Sequence, residues 1–160
     1  MKTIPLTQGK YALIDDWNYE WLNQWKWHAS FDGHNWYAKR KIYKNGKQKD
    51  EWMHRLILGL QLKDERQADH IDGNGLHNQE INLRICTNGQ NKANSRKRKN
   101  TMSKYKGVHW CKDRNKWQAA ICCQGKRPYL GRFDSQIEAA KAYDKAAKKY
   151  FGEFARLNNV

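Results

Sequence analysis

The sequence has few acidic residues, no paired cysteines and no long apolar run. Its four cysteines form no C-x-x-C pair, which argues against a zinc ribbon or a disulfide framework and favours a reduced, intracellular chain. No stretch approaches the roughly 20 apolar residues of a membrane span, and the first residues lack the apolar segment of a secretory signal. These absences predict a cytoplasmic protein with no membrane partner.

The shortage of acidic residues leaves a strongly basic chain. Lys and Arg number 31 against 16 Asp and Glu, for a net charge of +15. Such an excess favours a polyanionic partner, and nucleic acid is the first candidate. Residues 92–106 hold seven cations and no acid, whereas residues 69–91 hold one cation and three acids. A small acidic window in a basic chain suits a metal cation bound beside a phosphate.

Tryptophan is abundant in the first third of the chain, where six of the eight tryptophans lie between residues 17 and 52. The pattern predicts a strand at residues 11–14, a short helix capped near Asp15, and antiparallel strands joined by a turn at Asn45-Gly46. A small core filled by large side chains is favoured over a platform that stacks bases. We interpret this zone mainly as scaffold.

The central region combines an oxygen donor, an imidazole and several carboxamides. Asp69 and His70 precede a turn at residues 72–75, and carboxamides follow at Asn82 and Asn91. The pattern predicts a strand at 67–71, a polar loop, a second strand at 83–86 and a helix that begins near residue 87. Asn91 would face back toward the first strand, so that four separated residues share one site. Placed just before a dense basic run, this combination indicates cleavage of a phosphodiester.

The spacing of these residues resembles a known enzyme family. The elements are, in chain order, MHRLI at 53–57, DHIDGN at 69–74, Asn78, Asn82-Leu83-Arg84 and Asn91. Over about 40 residues they resemble the HNH endonucleases of phage and intron-homing type, whose core is a ββα-metal module. The resemblance implies that Asp69 and Asn91 bind one divalent metal ion, Mg²⁺ or Mn²⁺. It further implies that His70 is the general base, that Asn82 orients its imidazole, and that hydrolysis leaves a 5′-phosphate.

The chemistry of phosphodiester hydrolysis accounts for these residue types. A neutral imidazole with a pKa near ~6.5 accepts a proton from water at physiological pH better than a carboxylate or a lysine does. A metal held by only two protein oxygens keeps coordination positions open for phosphate and water. A hydrogen bond from Asn82 to one ring nitrogen would fix the tautomer of the base. Two interpretations of His54 stay open: contact with the metal site or phosphate, and support of the core. We expect His77 to face solvent.

The last third of the chain predicts three short strands and one helix. Turn residues separate the strands, and Ser135 caps a helix with an apolar stripe from Ile137 to Tyr150. The segments YKGV at 105–108, YLGRFD at 129–134, EAAKAYD at 138–144 and residues 152–158 resemble the AP2 DNA-binding domain. In that family the sheet enters the major groove. Because Ala120 and Cys122 stand where relatives often place charged base-reading residues, the target preference is not transferable.

The resemblance makes the outward residues of this sheet candidates for DNA contact. These candidates are Lys106, His109, Trp110, Lys112, Trp117, Arg127 and Tyr129. A basic connector precedes them, and we expect it to follow the DNA backbone without sequence preference. Its candidate residues are Arg96, Lys97, Arg98 and Lys99.

These observations predict an α+β protein with three parts. A ββα-metal nuclease module with a β-rich, aromatic amino-terminal extension spans residues 1–95, a basic linker spans 96–104, and an AP2-like sheet and helix span 105–160. The predicted function is a monomeric, site-preferring DNA endonuclease or nickase that acts on double-stranded DNA without a small-molecule cofactor, in a bacterial or phage-infected cell. The alternative is a non-cleaving DNA-binding protein with a degenerate HNH module. A role on RNA is the third option.

Overall fold

The computed structural model of the protein describes residues 1–97 and 101–160. The fold is α+β, as predicted, with small antiparallel sheets and four α-helices in the described residues. The chain divides into two compact units, residues 1–88 and residues 89–160. None of the helices in the described residues is both long and apolar enough to span a membrane. The domain limits proposed from the sequence motifs stay predictions.

The first unit begins with a hairpin and a short helix that enclose a core. Strand β1 (Lys2–Pro5) pairs antiparallel with β2 (Tyr11–Ile14), and helix α1 (Asp16–Leu22) follows. Trp27 is 2% exposed, and its indole Nε1 donates to the Leu22 carbonyl over 2.8 Å. A buried tryptophan with a satisfied N–H confirms the interpretation of this zone as scaffold. Trp17 is an exception, since 68% of it is exposed.

A three-stranded sheet forms the middle of the first unit. Its strands are β3 (His28–Phe31), β4 (Trp36–Lys44) and β5 (Lys47–Trp52), in the order β3-β4-β5. The turn predicted at Asn45-Gly46 is confirmed: both residues have positive φ, 54° and 68°. This is the combination that a two-residue type I′ hairpin turn requires. The local sequence therefore determines the turn that joins β4 to β5.

The elements around the predicted site come next in the chain, after β5. Helix α2 (Met53–Ile57) is short, and β6 (Gln67–His70) pairs antiparallel with β7 (Leu83–Cys86). The two strands enclose a polar loop, as the sequence predicts. Helix α3 (Asn88–Asn94) begins one residue after the predicted start and lies at the division between the units.

The second unit contains a three-stranded antiparallel sheet and a long helix. The strands are β8 (Val108–Cys111), β9 (Lys116–Ala120) and β10 (Tyr129–Phe133), in the order β10-β9-β8. Helix α4 (Gln136–Phe151) is capped by Ser135, whose hydroxyl accepts from the Ile137 N–H over 3.1 Å. Buried alanines and a tyrosine of α4 pack on the sheet. The predicted sheet-and-helix arrangement and its cap are confirmed.

The apolar stripe of α4 is buried at its centre and partly exposed at both ends. Tyr143 at the centre is 4% exposed, whereas Ile137 is 47% and Tyr150 42% exposed. The helix has 16 residues, about 24 Å at 1.5 Å per residue. Strands of four and five residues extend only about 13–17 Å. The sheet is therefore too small to cover both helix ends.

Candidate functional site

Asp69 and His70 lie at the end of β6 and are buried, with 6% and 5% of their surfaces exposed. Asp69 pairs in register with Arg84 of β7. The Arg84 guanidinium donates to Asp69 Oδ2 from Nε over 2.9 Å and approaches it from Nη2 at 2.8 Å. The carboxylate is thus held in place by the neighbouring strand. A buried carboxylate oxygen is the hard donor that Mg²⁺ or Mn²⁺ prefers.

The imidazole of His70 is fixed by Asn78. His70 Nε2 lies 3.1 Å from Asn78 Oδ1. With the carboxamide oxygen as the acceptor in this contact, the ring proton lies on Nε2 and the lone pair on Nδ1. Asn78 has no exposed surface, and its backbone N–H donates to the Leu13 carbonyl of β2 over 2.7 Å. The tautomer therefore suits a base that accepts its proton at Nδ1.

The surroundings of His70 also favour its neutral form. Burial lowers the pKa of His70, while the Asn78 side chain and the carboxylates of Asp72 and Asp69 act in the opposite direction. Burial has the largest effect because it removes the imidazolium from water. His70 is consequently able to accept a proton near neutral pH.

His54 packs against the ring of His70. The two ring centroids are 4.9 Å apart with an interplanar angle of 61°, and Tyr37 contacts both rings. Trp52 is also close, with its ring centroid 6.2 Å from that of His54. His54 Nδ1 is buried and has no hydrogen-bond partner among the described residues. The contacts match a histidine that supports the core beside His70.

Burial, together with the nearby His70 and Arg55, lowers the pKa of His54 to about 3. The unfolded chain takes up a proton at this position near pH ~6.5, whereas the folded chain does not. The free energy of unfolding is therefore expected to fall as the pH drops from about 6.5 toward the folded pKa, by up to about 1.4 kcal/mol per pH unit. His70 contributes with the same sign. Urea unfolding of the full chain at pH 7 and pH 5 measures this loss.

The matched variant for this measurement is His54→Gln, which removes the titrating ring. It should be less stable at pH 7 and show a shallower acid dependence than the natural chain. An equally steep dependence in the variant would mean that other groups cause the acid loss.

Asn82 holds the loop between β6 and β7. Its Oδ1 accepts from the Asp72 N–H over 3.1 Å, and its Nδ2 donates to Asp72 Oδ1 over 3.0 Å and to the His77 carbonyl over 2.8 Å. Its carbonyl accepts from the Ile71 N–H over 2.9 Å. These bonds fix the loop that follows His70. The direct role of Asn82 in orienting the imidazole stays a prediction.

His77 is not the solvent-facing side chain that the sequence suggested. Its Nδ1 lies 2.8 Å from Asp72 Oδ2, and its Nε2 lies 3.0 Å from Gln79 Oε1. Polar partners on both sides make it half-buried. The loop therefore forms a hydrogen-bonded network that no local sequence signal indicated.

Asn91, the second predicted metal ligand, lies on α3 in the second unit, whereas Asp69 lies in the first. Its role stays a prediction. Among residues 1–97 and 101–160, no group of three or more His, Cys, Asp or Glu side chains is arranged to hold a metal. A site formed by one carboxylate and one carboxamide would not meet that description. The donor set itself, two hard oxygens, fits a divalent cation that keeps water ligands.

The register of the second unit's sheet separates its two faces. Gln118 of β9 pairs with His109 of β8 and with Arg132 of β10. Neighbouring residues of a strand point to opposite faces, so these three side chains share the face opposite the buried Val108 and Ala119. Gln118 and Arg132 were missed by the sequence reasoning. Counting alternate positions from Val108 and Ala119 would have found them.

The predicted outward direction of Trp110 and Trp117 is wrong. Trp117 packs against the buried cluster that contains Val108 and Ala119. Trp110 pairs with it edge-to-face, at a centroid distance of 5.0 Å. Both tryptophans lie two residues from a buried position on their strand, so the alternation of side chains directs them to the covered face. Their contact with DNA stays a prediction.

Lys106 is also tied into the second unit. Its Nζ donates to the carbonyls of Ala93 and Ser95. Burial and the nearby Arg156 lower its pKa to about 8. Its aliphatic and charged parts are thus engaged within the unit, and the predicted outward direction does not hold for it.

The remaining predicted DNA contacts lie at the surface where they are described. Lys112, Arg127 and Tyr129 are exposed, as is Arg96 of the connector, and Lys97 is half-buried. Arg98 and Lys99 lie outside the described residues. The exposed cations and the aromatic ring are accessible to a polyanion, as the prediction requires.

Residues 103–153 match the AP2 domain family. The chain is similar to a protein of Acanthamoeba polyphaga mimivirus named as an uncharacterized HNH endonuclease, L560, with 29% identity over 96% of this chain and 77% of the relative. It is 33% identical to Protein 3.8 of Escherichia phage T7 over 56% of this chain and 73% of the phage protein.

The carboxyl-terminal part is also similar to plant proteins. It is 43% identical to the AP2-like ethylene-responsive transcription factor TOE2 of Arabidopsis thaliana, over 36% of this chain and 12% of the plant protein. No solved structure matches the chain significantly.

Proposed function

We propose that the chain is a metal-dependent DNA endonuclease, because it carries an AP2 domain at residues 103–153 and is similar to a viral protein named as an uncharacterized HNH endonuclease. It hydrolyses phosphodiester bonds in double-stranded DNA. The observation that carries this proposal is the buried Asp69-His70 pair, with the imidazole held by Asn78 so that Nδ1 is the basic nitrogen.

His70 acts as the general base. Its Nδ1 takes a proton from a water molecule while the water oxygen attacks phosphorus and the bond from phosphorus to the leaving oxygen breaks. The Nε2–H bond to Asn78 Oδ1 keeps the ring in one tautomer and orientation throughout, which is the requirement for a positioned base. The leaving oxygen takes its proton from solvent.

Asp69 is the proposed ligand of one divalent ion, Mg²⁺ or Mn²⁺, and Asn91 is the second ligand that the sequence resemblance implies. When bound, such an ion stabilises the negative charge that develops on the phosphate and the leaving group. Arg84 holds the Asp69 carboxylate from the neighbouring strand. This support fixes the ligand before substrate arrives, and supporting contacts of this kind strengthen metal sites.

The AP2 domain recognises the DNA target. Its uncovered face presents His109, Gln118 and Arg132 in register, and basic residues of the connector add contacts to the phosphate backbone. Because one monomer carries one site, we propose that the protein nicks a single strand. The nick lies in a preferred sequence, as it does for homing endonucleases. The enzyme would work in the cytoplasm of a bacterial or phage-infected cell.

Replacing Asn78 by alanine tests the role of the tautomer. The variant should cut DNA about 10-fold to 100-fold more slowly, because general-base catalysis contributes about 10²–10⁴-fold and depends on the correct protonation state. DNA affinity should stay the same. Single-turnover cleavage and equilibrium binding in a chelator, measured on the same DNA, separate the two quantities. Asn82→Ala is the comparison variant, and a slower rate for Asn82→Ala alone would transfer the orienting role to that residue.

Strand-resolved cleavage mapping tests the function as a whole. The full chain is incubated with supercoiled DNA that carries the flanks of its own gene, with Mg²⁺ or with a chelator, and each strand is end-labelled. We expect Mg²⁺-dependent nicks at preferred positions. Sequence-specific binding without any cleavage would instead establish the non-cleaving DNA-binding alternative.

A further inference from the structure

The hairpin of β4 and β5 extends beyond the sheet to which it belongs. Strand β3 pairs with β4 only over Trp36–Lys39, whereas the pairing of β4 with β5 continues to Lys44 and Lys47. The last five residues of β4 therefore form a two-stranded ribbon, about 16 Å long at 3.3 Å per residue. Asn45 and Gly46 close it with a tight type I′ turn, so its end is well defined.

From Lys41 to Lys49, the ribbon and its turn carry charge of one sign. Residues 41–49 contain four lysines and no acidic residue. Asp50 at the base of the ribbon makes ion pairs with Lys39 and Lys41. Within the described part of the chain, no carboxylate forms an ion pair with Lys44, Lys47 or Lys49. The outer half of the ribbon thus carries cations that the protein does not neutralise.

Two of these cations face each other. Lys44 and Lys47 are direct cross-strand partners and both are exposed. Like charges placed opposite each other destabilise a hairpin, so this pair works against the stability of the element that carries it. A polyanion lying across the ribbon end would relieve the repulsion.

The ribbon also exposes an aromatic ring. Tyr43 is 78% exposed, and Gln48, its cross-strand partner, is exposed as well. A phenol and a carboxamide side by side offer apolar contact area and hydrogen-bonding groups together. Tyrosine, glutamine and lysine are among the side chains that bind phosphates, sugars and base edges in DNA.

We propose that the β4–β5 ribbon is a second DNA-binding element, which lies in the major groove with Lys44 and Lys47 on the flanking phosphates. The proposal rests on the proposed function, since it names a further contact of the same enzyme with its substrate. The major groove is about 12 Å wide and admits a two-stranded ribbon. This element belongs to the first unit, residues 1–88, so it would bind DNA in addition to the AP2 sheet.

The test uses the full chain with His70→Ala, so that binding is measured without cleavage, in a chelator. Lys47→Glu places a carboxylate opposite Lys44. We expect this change to weaken binding to duplex DNA about tenfold and the thermal midpoint to stay or rise, because repulsion becomes attraction. In Lys44→Gln/Lys47→Gln, loss of two phosphate contacts should reduce the slope of log affinity against log salt by about 1.8.

Lys63→Glu is the control, because Lys63 is an exposed lysine of the same unit that precedes Asp64 and Glu65. An affinity and a salt slope of the glutamine double variant equal to those of this control would overturn the proposal. A loss confined to a structured RNA, with duplex DNA unaffected, would overturn it too. The cleavage assay with His70 intact is separate: failure to cut would refute the endonuclease while leaving a positive ribbon result in place.

Discussion

Replacing His70 by alanine is expected to lower the rate of DNA cleavage by about 10²–10⁴-fold. The buried imidazole is the proposed proton acceptor, and the variant loses both Nδ1 and the ring that Asn78 holds. DNA affinity should change little, because the exposed cations that contact phosphate are untouched. Single-turnover cleavage at saturating DNA and binding in a chelator measure the two effects separately.

The control for this experiment is His34→Ala, which removes an exposed histidine outside the site. It should cut at the natural rate. Thermal unfolding of both variants shows whether the His70 change acts through the fold, since His70 also packs against His54 and Tyr37. A folded His70→Ala protein with undiminished cleavage would remove His70 from the mechanism.

Replacing Asp69 by alanine is expected to have two large effects at once. Cleavage should fall by at least about 10²-fold, because the proposed metal loses one of its two protein ligands. The free energy of unfolding should fall by about 3–5 kcal/mol, because the buried Arg84 guanidinium loses its carboxylate partner. Cleavage is measured across a range of Mg²⁺ concentrations, at a temperature where circular dichroism shows the variant to be folded.

Asp64→Ala supplies the comparison for Asp69→Ala. Asp64 also pairs with an arginine, but its partner Arg66 is 60% exposed, and water and salt weaken such surface ion pairs. This variant should keep its stability and its response to Mg²⁺. A folded Asp69→Ala protein that needs no more Mg²⁺ than the control would exclude Asp69 as a metal ligand.

Local signals in the sequence predicted several elements of the fold. Strand β6 with Asp69 and His70, the turn at Asn45-Gly46 and the cap at Ser135 all depend on preferences that act over a few residues. Backbone dihedral angles, the two-residue period of strands and capping hydrogen bonds are such preferences. These parts of the fold could be predicted because neighbours in sequence determine them.

Contacts between segments that are distant in the chain could not be predicted from the sequence. Asn78 stood in the motif without a role, and its bond to His70 depends on a loop whose end is fixed to Leu13 of β2. His54 contacts His70 because α2 and β6 pack together. The number of residues between the two elements does not predict this packing. The direction of Trp117 also depended on the true register of its strand.

The sequence by itself predicted the AP2 domain and the α+β class, and it identified Asp69, His70 and the carboxamides as candidate site residues, because chemistry and spacing are properties of the chain. Only the tertiary structure decided which carboxamide holds the base, which histidine is buried beside it, and which lysines stand unneutralised at the end of a ribbon. These depend on burial and on long-range pairing, which remove water from some side chains and leave others exposed.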